Sequence, residues 1–216
     1  AYGRAGILDI ADQVVAAVGP DAGALTLEYQ PDLFGGEKRW VGWDQAGLEN
    51  YAGQVVPFAI DTGRWGPGVW SFVPDSTLAA ASVLAGALRE RGLDVTGPVA
   101  GAAPAAGKVV AEVASAPVGE LARFMLMTSD NTLAEQLCHL AAVTDGEATT
   151  FADSAANVVA TLAASGVPTD GLSIYDCSGL DPLSKVPPRT VAAALRSSLN
   201  SDGALSGLTR MLPVGS

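Results

Sequence analysis

The character of this chain changes near residue 73, and that change limits its folds more than any other feature. Residues 40–72 hold all four tryptophans (Trp40, Trp43, Trp65 and Trp70) among glycines. From Pro74 onward the chain turns to Ala- and Leu-rich runs with apolar residues at helical spacing. A domain boundary is therefore expected there, separating residues 1–72 from 73–216. With 216 residues, 49% of them hydrophobic, the chain can bury a sizeable core in one to two domains.

Periodicity places the elements. Residues 7–18 carry apolar groups at helical spacing and stop at Gly19-Pro20. Residues 24–29 alternate like a half-buried strand, and Val55–Asp61 reads as another. Pro74-Asp75-Ser76 opens the clearest helix, with Asp75 or Ser76 as its cap, running to about Arg91 and ending at Gly92. Val95–Val99 and Val109–Ser115 read as strands around an Ala-Pro-Gly loop, 101–107. Helices follow over Val118–Met127, Thr132–Val143, Ser154–Ser165 and Thr190–Leu199, with a short strand at Leu172–Asp176.

Several function classes are excluded. The net charge of −11, with only 12 Lys plus Arg, disfavours nucleic acid and anionic lipid as partners. No apolar run is long enough for a transmembrane helix, and Ala1-Tyr2-Gly3-Arg4 shows no signal peptide. Gly66-Pro67-Gly68 lacks the strand–Gly–helix setting of a phosphate loop. The single histidine, His139, cannot form a metal pair, and no carboxylate couple has a glycosidase context. No cofactor is expected. The tryptophans read as packing anchors rather than a sugar platform.

One motif carries chemistry. Ser129-Asp130-Asn131 lies between two amphipathic helices. A rigidly held Ser hydroxyl there can relay a proton, and an Asn amide can both donate to a substrate carbonyl and accept from a lysine. Taken as a bare tripeptide it is a weak signal and reads first as a helix N-cap, with a helix starting at Thr132. Its surroundings, Met125 to Glu135, resemble the second motif of the penicillin-binding enzymes, whose other motifs are Ser-x-x-Lys and Lys-Thr-Gly. Asp176-Cys177-Ser178-Gly179-Leu180 and Val186-Pro187-Pro188 resemble one branch, the low-molecular-mass D-alanyl-D-alanine carboxypeptidase/endopeptidases with inserted domains. So do Gly207–Val214 and the stretch Leu88–Val95.

The resemblance implies an α/β (α+β) fold: a penicillin-binding transpeptidase/β-lactamase-like domain, an antiparallel sheet with a helical lobe, in 73–216, and part of an inserted Trp-rich α/β domain in 1–72. It implies a serine peptidase acting on peptidoglycan stem peptides through an acyl-enzyme, with β-lactams as covalent inhibitors, outside the cytoplasm. Ser129 and Asn131 take the catalytic roles of proton relay and amide ligand. Asp130, Asp176, Ser178 and Gly179 support the motifs, Asp130 by shaping the turn. It also brings Cys138 near Cys177, where either a disulfide or two small buried thiols fits; a bond closing roughly 40 residues would stabilise by about 4 kcal/mol.

The chain departs from the family pattern in two places. Gly35, Ala105 and Pro182 stand three residues before Lys38, Lys108 and Lys185, so no Ser-x-x-Lys is present, and no lysine is followed by Thr-Gly. A fragment of a longer enzyme is the simplest expectation; a catalytically inactive scaffold binding peptidoglycan or a protein partner is the second reading, and a β-lactamase the third. After Ser-Gly-Leu, Pro182 and Lys185 stand where the family commonly has arginines, which puts a carboxylate grip there in doubt and leaves a solvated surface loop as the simpler reading.

Overall fold

The computed structural model describes residues 6–66, 68–102, 106–144, 146, 149–200 and 205–213. The opening tetrapeptide, Pro67, residues 103–105 of the Ala-Pro-Gly loop and the closing 214–216 lie outside them. The chain forms two compact units, one of Ala1–Leu33 with Val56–Val118 and one of Phe34–Val55 with Gly119–Ser216.

In the first unit, helix α1 (Ile7–Val18) and helix α3 (Ser76–Glu90) pack beside a two-stranded parallel sheet, β1 (Leu25–Tyr29) with β2 (Val95–Ala100). The register pairs Leu25 with Val95 and Glu28 with Val99, with an irregularity between. Buried Ala11, Ala87, Leu88, Leu93 and Val95 form the core, with Val14, Val15, Leu25 and Leu84 packed on it. Asp75 caps α3 by accepting from Leu78 N at 2.9 Å. At the other end Arg89 donates to the carbonyls of Val95 and Gly97, tying α3 to β2.

The second unit is mainly helical: α2 (Val41–Gln45), α4 (Val118–Thr128), α5 (Asn131–Thr144), α6 (Phe151–Ala164), α7 (Pro188–Ser198) and α8 (Leu208–Met211). Thr150 and Asp153 form a reciprocal capping box at the start of α6. Trp43, Ala52, Val55 and Phe151 make its core, with Phe34, Trp40, Leu48 and Leu180 against it. Trp43 meets Phe151 edge to face at 5.4 Å.

Several expectations change. Residue 73 falls inside the first unit, and the segment holding Trp40 and Trp43 belongs with the second, because its indoles are bonded there. Val55–Asp61 is not a strand: Val55 and Val56 are both buried, against the alternation a strand requires, Pro57 offers no N–H, and the segment ends in a 3-10 turn at Asp61–Gly63. Val109–Ser115 is irregular. Its Glu112 backbone is paired in both directions by the Gln13 side-chain amide, which does the work of a strand neighbour. Leu172–Asp176 reduces to one antiparallel bridge, Ser173 with Lys185. Two of the four presumed packing anchors are not buried: Trp65 and Trp70 are 65% and 70% exposed, with Arg64 over the Trp70 ring. The described residues do not build the antiparallel sheet of the expected fold; their one sheet is parallel. No described helix is long and apolar enough to cross a membrane.

Candidate active site

Ser129-Asp130-Asn131 makes the sharp junction of α4 and α5, and each residue has a separate task. Ser129 is exposed and holds φ at +53°, a left-handed backbone that costs a non-glycine residue about 1 kcal/mol or more. Asp130 is buried and caps α5: its Oδ1 accepts from Leu133 N at 3.0 Å and its carbonyl from Ala134 N. The Asn131 side-chain amide donates to the Tyr51 carbonyl at 3.1 Å, and the buried Thr132 hydroxyl oxygen accepts from Gly53 N at 2.8 Å. The turn is thus fastened on both sides to residues 51–53, while the Ser129 side chain stays in the open.

One helical turn further along α5 stands a residue that sequence reasoning passed over. The Glu135 carboxyl is wholly buried, and its Oε1 accepts from Cys177 N at 2.9 Å and Ser178 N at 2.7 Å. Burial pushes its pKa up to about 7; the Ser178 and Cys177 donors oppose the rise and the Asp176 charge adds to it. The signal lay in the spacing: Glu135 shares a helix face with Asn131, Cys138, His139 and Ala142, a face that packs inward. Next on that face, Cys138 is joined to Cys177 by a disulfide. His139 is buried with its Nδ1 donating to the Glu135 carbonyl at 2.9 Å, its ring between Phe34 and Phe151. Burial holds its pKa below the usual value.

The stretch Asp176–Leu180 is organised around one buried carboxylate. Asp176 Oδ2 accepts from the Trp43 indole at 2.8 Å, from Asp181 N at 2.8 Å and from the Ser178 hydroxyl at 3.2 Å; Oδ1 accepts from Gly179 N at 2.9 Å. Gly179 takes φ of +73°, which suits a glycine in this tight loop. Asp181, also buried, accepts from the Trp40 indole at 2.5 Å and from Leu183 N at 2.8 Å. Two aspartates therefore dock two tryptophans. Beyond them Pro182 and Lys185 are exposed. Among the described residues no group of acidic, His or Cys side chains is arranged to hold a metal.

The site as built brings Ser129, Asp130 and Asn131 into one turn, and brings Cys138, Cys177 and Ser178 together through Glu135 and the disulfide.

Known proteins resemble this chain in sequence and in fold. The carboxypeptidase Rv3627c of Mycobacterium tuberculosis is 30% identical over 220 residues, covering 99% of this chain and 46% of that protein. Carboxypeptidase DacB of Mycolicibacterium smegmatis is 28% identical over 218 residues, with 98% and 46% covered. The chain thus spans about half the length of the curated relatives it matches. Two crystal structures of penicillin binding protein 4 (dacB) from Haemophilus influenzae share the fold. One aligns with a TM-score of 0.67 at 16% identity, over 99% of this chain and 73% of that one. The other, complexed with a novel β-lactam, gives 0.56 at 24% identity, over 67% and 34%. These matches favour neither a β-lactamase nor a scaffold. Residues 55–216, well over half of the sequence, match the D-Ala-D-Ala carboxypeptidase 3 (S13) family, and the chain belongs to it.

Proposed function

We propose that this chain supplies the second-motif part of a serine-type D-Ala-D-Ala carboxypeptidase or endopeptidase that cleaves peptidoglycan stem peptides and is acylated by β-lactams. The observation that carries the reading is the left-handed, exposed Ser129 in a turn fastened by Asp130, Asn131 and Thr132. Strain kept at an exposed hydroxyl by an over-determined turn supports a working role beyond capping, since Asp130 does the capping. Ser129 then relays the proton between the nucleophile and the leaving amine, and Asn131 presents its amide to the substrate. Asp130 shapes the turn. Asp176, Ser178 and Gly179 hold the neighbouring loop.

The second unit is read as the transpeptidase-like portion and the first as part of an inserted domain. The Cys138–Cys177 disulfide supports an oxidising, extracytoplasmic setting, the periplasm or cell envelope.

Fluorescent penicillin tests the proposal. The 216-residue chain, without Ser-x-x-Lys, forms no covalent adduct. A longer protein carrying this chain with both missing motifs does form one, and Ser129→Ala in it slows acylation by about 10²-fold or more with the fold retained. Labelling of the chain by itself, or an unchanged acylation rate in the Ser129→Ala variant, would contradict the assignment.

A further inference from the structure

Glu135 is a buried acid that the proposed mechanism does not use. Its two oxygens have unlike surroundings. Oε1 accepts from two consecutive backbone N–H groups, whereas Oε2 is buried and receives no well-formed hydrogen bond, the nearby Ser178 hydroxyl being turned to Asp176 at 3.2 Å. That division fits a neutral carboxylic acid, with a carbonyl-like oxygen on the donors and the proton on the other. It fits a carboxylate badly, because a charged oxygen would sit desolvated without a donor.

We propose that Glu135 is a positioning residue for the Ser129-Asp130-Asn131 motif, holding the Cys177-Ser178 loop tip against α5 in its protonated form and loosening it on ionisation. The proposal rests on the functional reading above for the word motif, though the latch itself does not.

The geometry gives the latch its reach. Asn131 and Glu135 are separated by one turn on one face of α5, and Cys138 follows on the same face. The loop tip is therefore gripped at two adjacent points of the helix that begins at the motif. The disulfide fixes where Cys177 is attached. The carboxyl fixes how the Cys177 and Ser178 peptide planes are turned, and through Ser178 it reaches the Asp176 hub.

The charged group bearing on Glu135 is Asp176, whose carboxylate disfavours a second charge beside it. On its own helix, His139 lies one turn on and burial favours its neutral form. The disulfide does not titrate. The buried face of α6 offers Phe151, Ser154 and Ala155, none of them ionisable, and the segment before it offers Phe34 and Trp43. Ionisation is thus opposed by burial and by Asp176 and is favoured only by the loop donors.

Amide exchange followed residue by residue in the 216-residue chain tests the latch without any need for activity. In the wild type, protection of the Cys177 and Ser178 amides, corrected for intrinsic rates, falls about tenfold between pH 5.5 and pH 8, as the neutral form is depleted. Glu135→Gln, which keeps the accepting oxygen and cannot ionise, holds its protection across that range; Glu135→Ala loses it at every pH. The same pH dependence in wild type and Glu135→Gln overturns the latch, as does wild-type protection in a folded Glu135→Ala.

In a longer protein with the nucleophile present, penicillin acylation tests the positioning role. The wild-type rate declines relative to Glu135→Gln as pH rises through about 7. Parallel profiles overturn that role. Absence of acylation in the wild type refutes the functional reading and leaves the latch to be judged on exchange.

Discussion

Replacing Asp176 is the sharpest test of how the second unit is held together. Its carboxylate receives four donors: Trp43 Nε1, Asp181 N, Ser178 Oγ and Gly179 N. Two of these bonds, to the Trp43 indole and to Asp181 N, are buried, so their donors cannot turn to water when the acceptor is lost. At about 2 kcal/mol for each bond to a charged acceptor, Asp176→Ala is expected to destabilise the unit by about 4 kcal/mol. The two bonds nearer the surface re-form with solvent and add little. Asp176→Asn keeps one accepting oxygen and presents an N–H₂ to the donors on the other side. Its expected cost is about half as large, roughly 2 kcal/mol.

Urea unfolding followed by tryptophan fluorescence reads this cleanly. Trp43 is fully buried, whereas Trp65 and Trp70 are mostly exposed in the native state, so the signal reports the second unit. A double-mutant cycle with Trp43→Phe, followed by far-UV circular dichroism because the reporter indole is removed, should show a coupling of about 1–2 kcal/mol. If Asp176→Ala costs under about 1 kcal/mol, or if the Asn and Ala variants are equally damaging, the account of Asp176 as the hub is refuted.

Three further outcomes are expected. Reducing the Cys138–Cys177 bond, which spans 39 residues, should lower stability by about 4 kcal/mol, and thiol titration of the denatured, non-reduced protein should find no free thiol; two free thiols would rule the bond out. Because the folded pKa of Glu135 is raised from 4.5 to about 7, the native state holds this proton longer than the unfolded one, so its contribution is full below about pH 4.5 and is lost as pH rises to about 7. The stability difference between wild type and Glu135→Gln should therefore shift by about 3 kcal/mol against the wild type across that window, and a shift of the opposite sign in pH-dependent unfolding would contradict the burial argument. Gly97 holds φ at +90° with a would-be Cβ 2.5 Å from the Leu27 carbonyl oxygen, so Gly97→Ala should cost the first unit about 2 kcal/mol or more in thermal unfolding; a neutral result would place the strands further apart than they are here.

The helices were legible because their signals are local. The cap at Asp75, the stop at Gly92, the Pro187-Pro188 entry to α7 and the 3.6-residue spacing elsewhere are written within a turn or two of where they act. The false strands share one cause: their apolar residues answer to distant partners. Val55 and Val56 are both buried in an irregular segment, and the Val109–Ser115 backbone is served by a glutamine on α1. Helix α2, at five residues, is too short to show a period. In the site, the tripeptide and the Asp176–Leu180 stretch could be read as motifs, but their supports could not. That Trp40 pairs with Asp181 and Trp43 with Asp176 is a fact of tertiary structure. Glu135 was hidden because an acid on a helix is ordinarily counted as solvated, and only its inward face shows otherwise.

The split make-up of the second unit bears on the order in which the protein is made. Trp43 leaves the ribosome 133 residues ahead of its partner Asp176, an interval on the order of ten seconds at ordinary elongation rates. All of the residues from 56 to 118 emerge meanwhile, and they can settle into their own unit. The early tryptophan segment cannot, and must stay unengaged until the far end of the site is synthesised. Its two indoles are then a transient sticky patch on the nascent chain, and the step most open to mishap in biogenesis is the late joining of residues 34–55 to a loop made long after them.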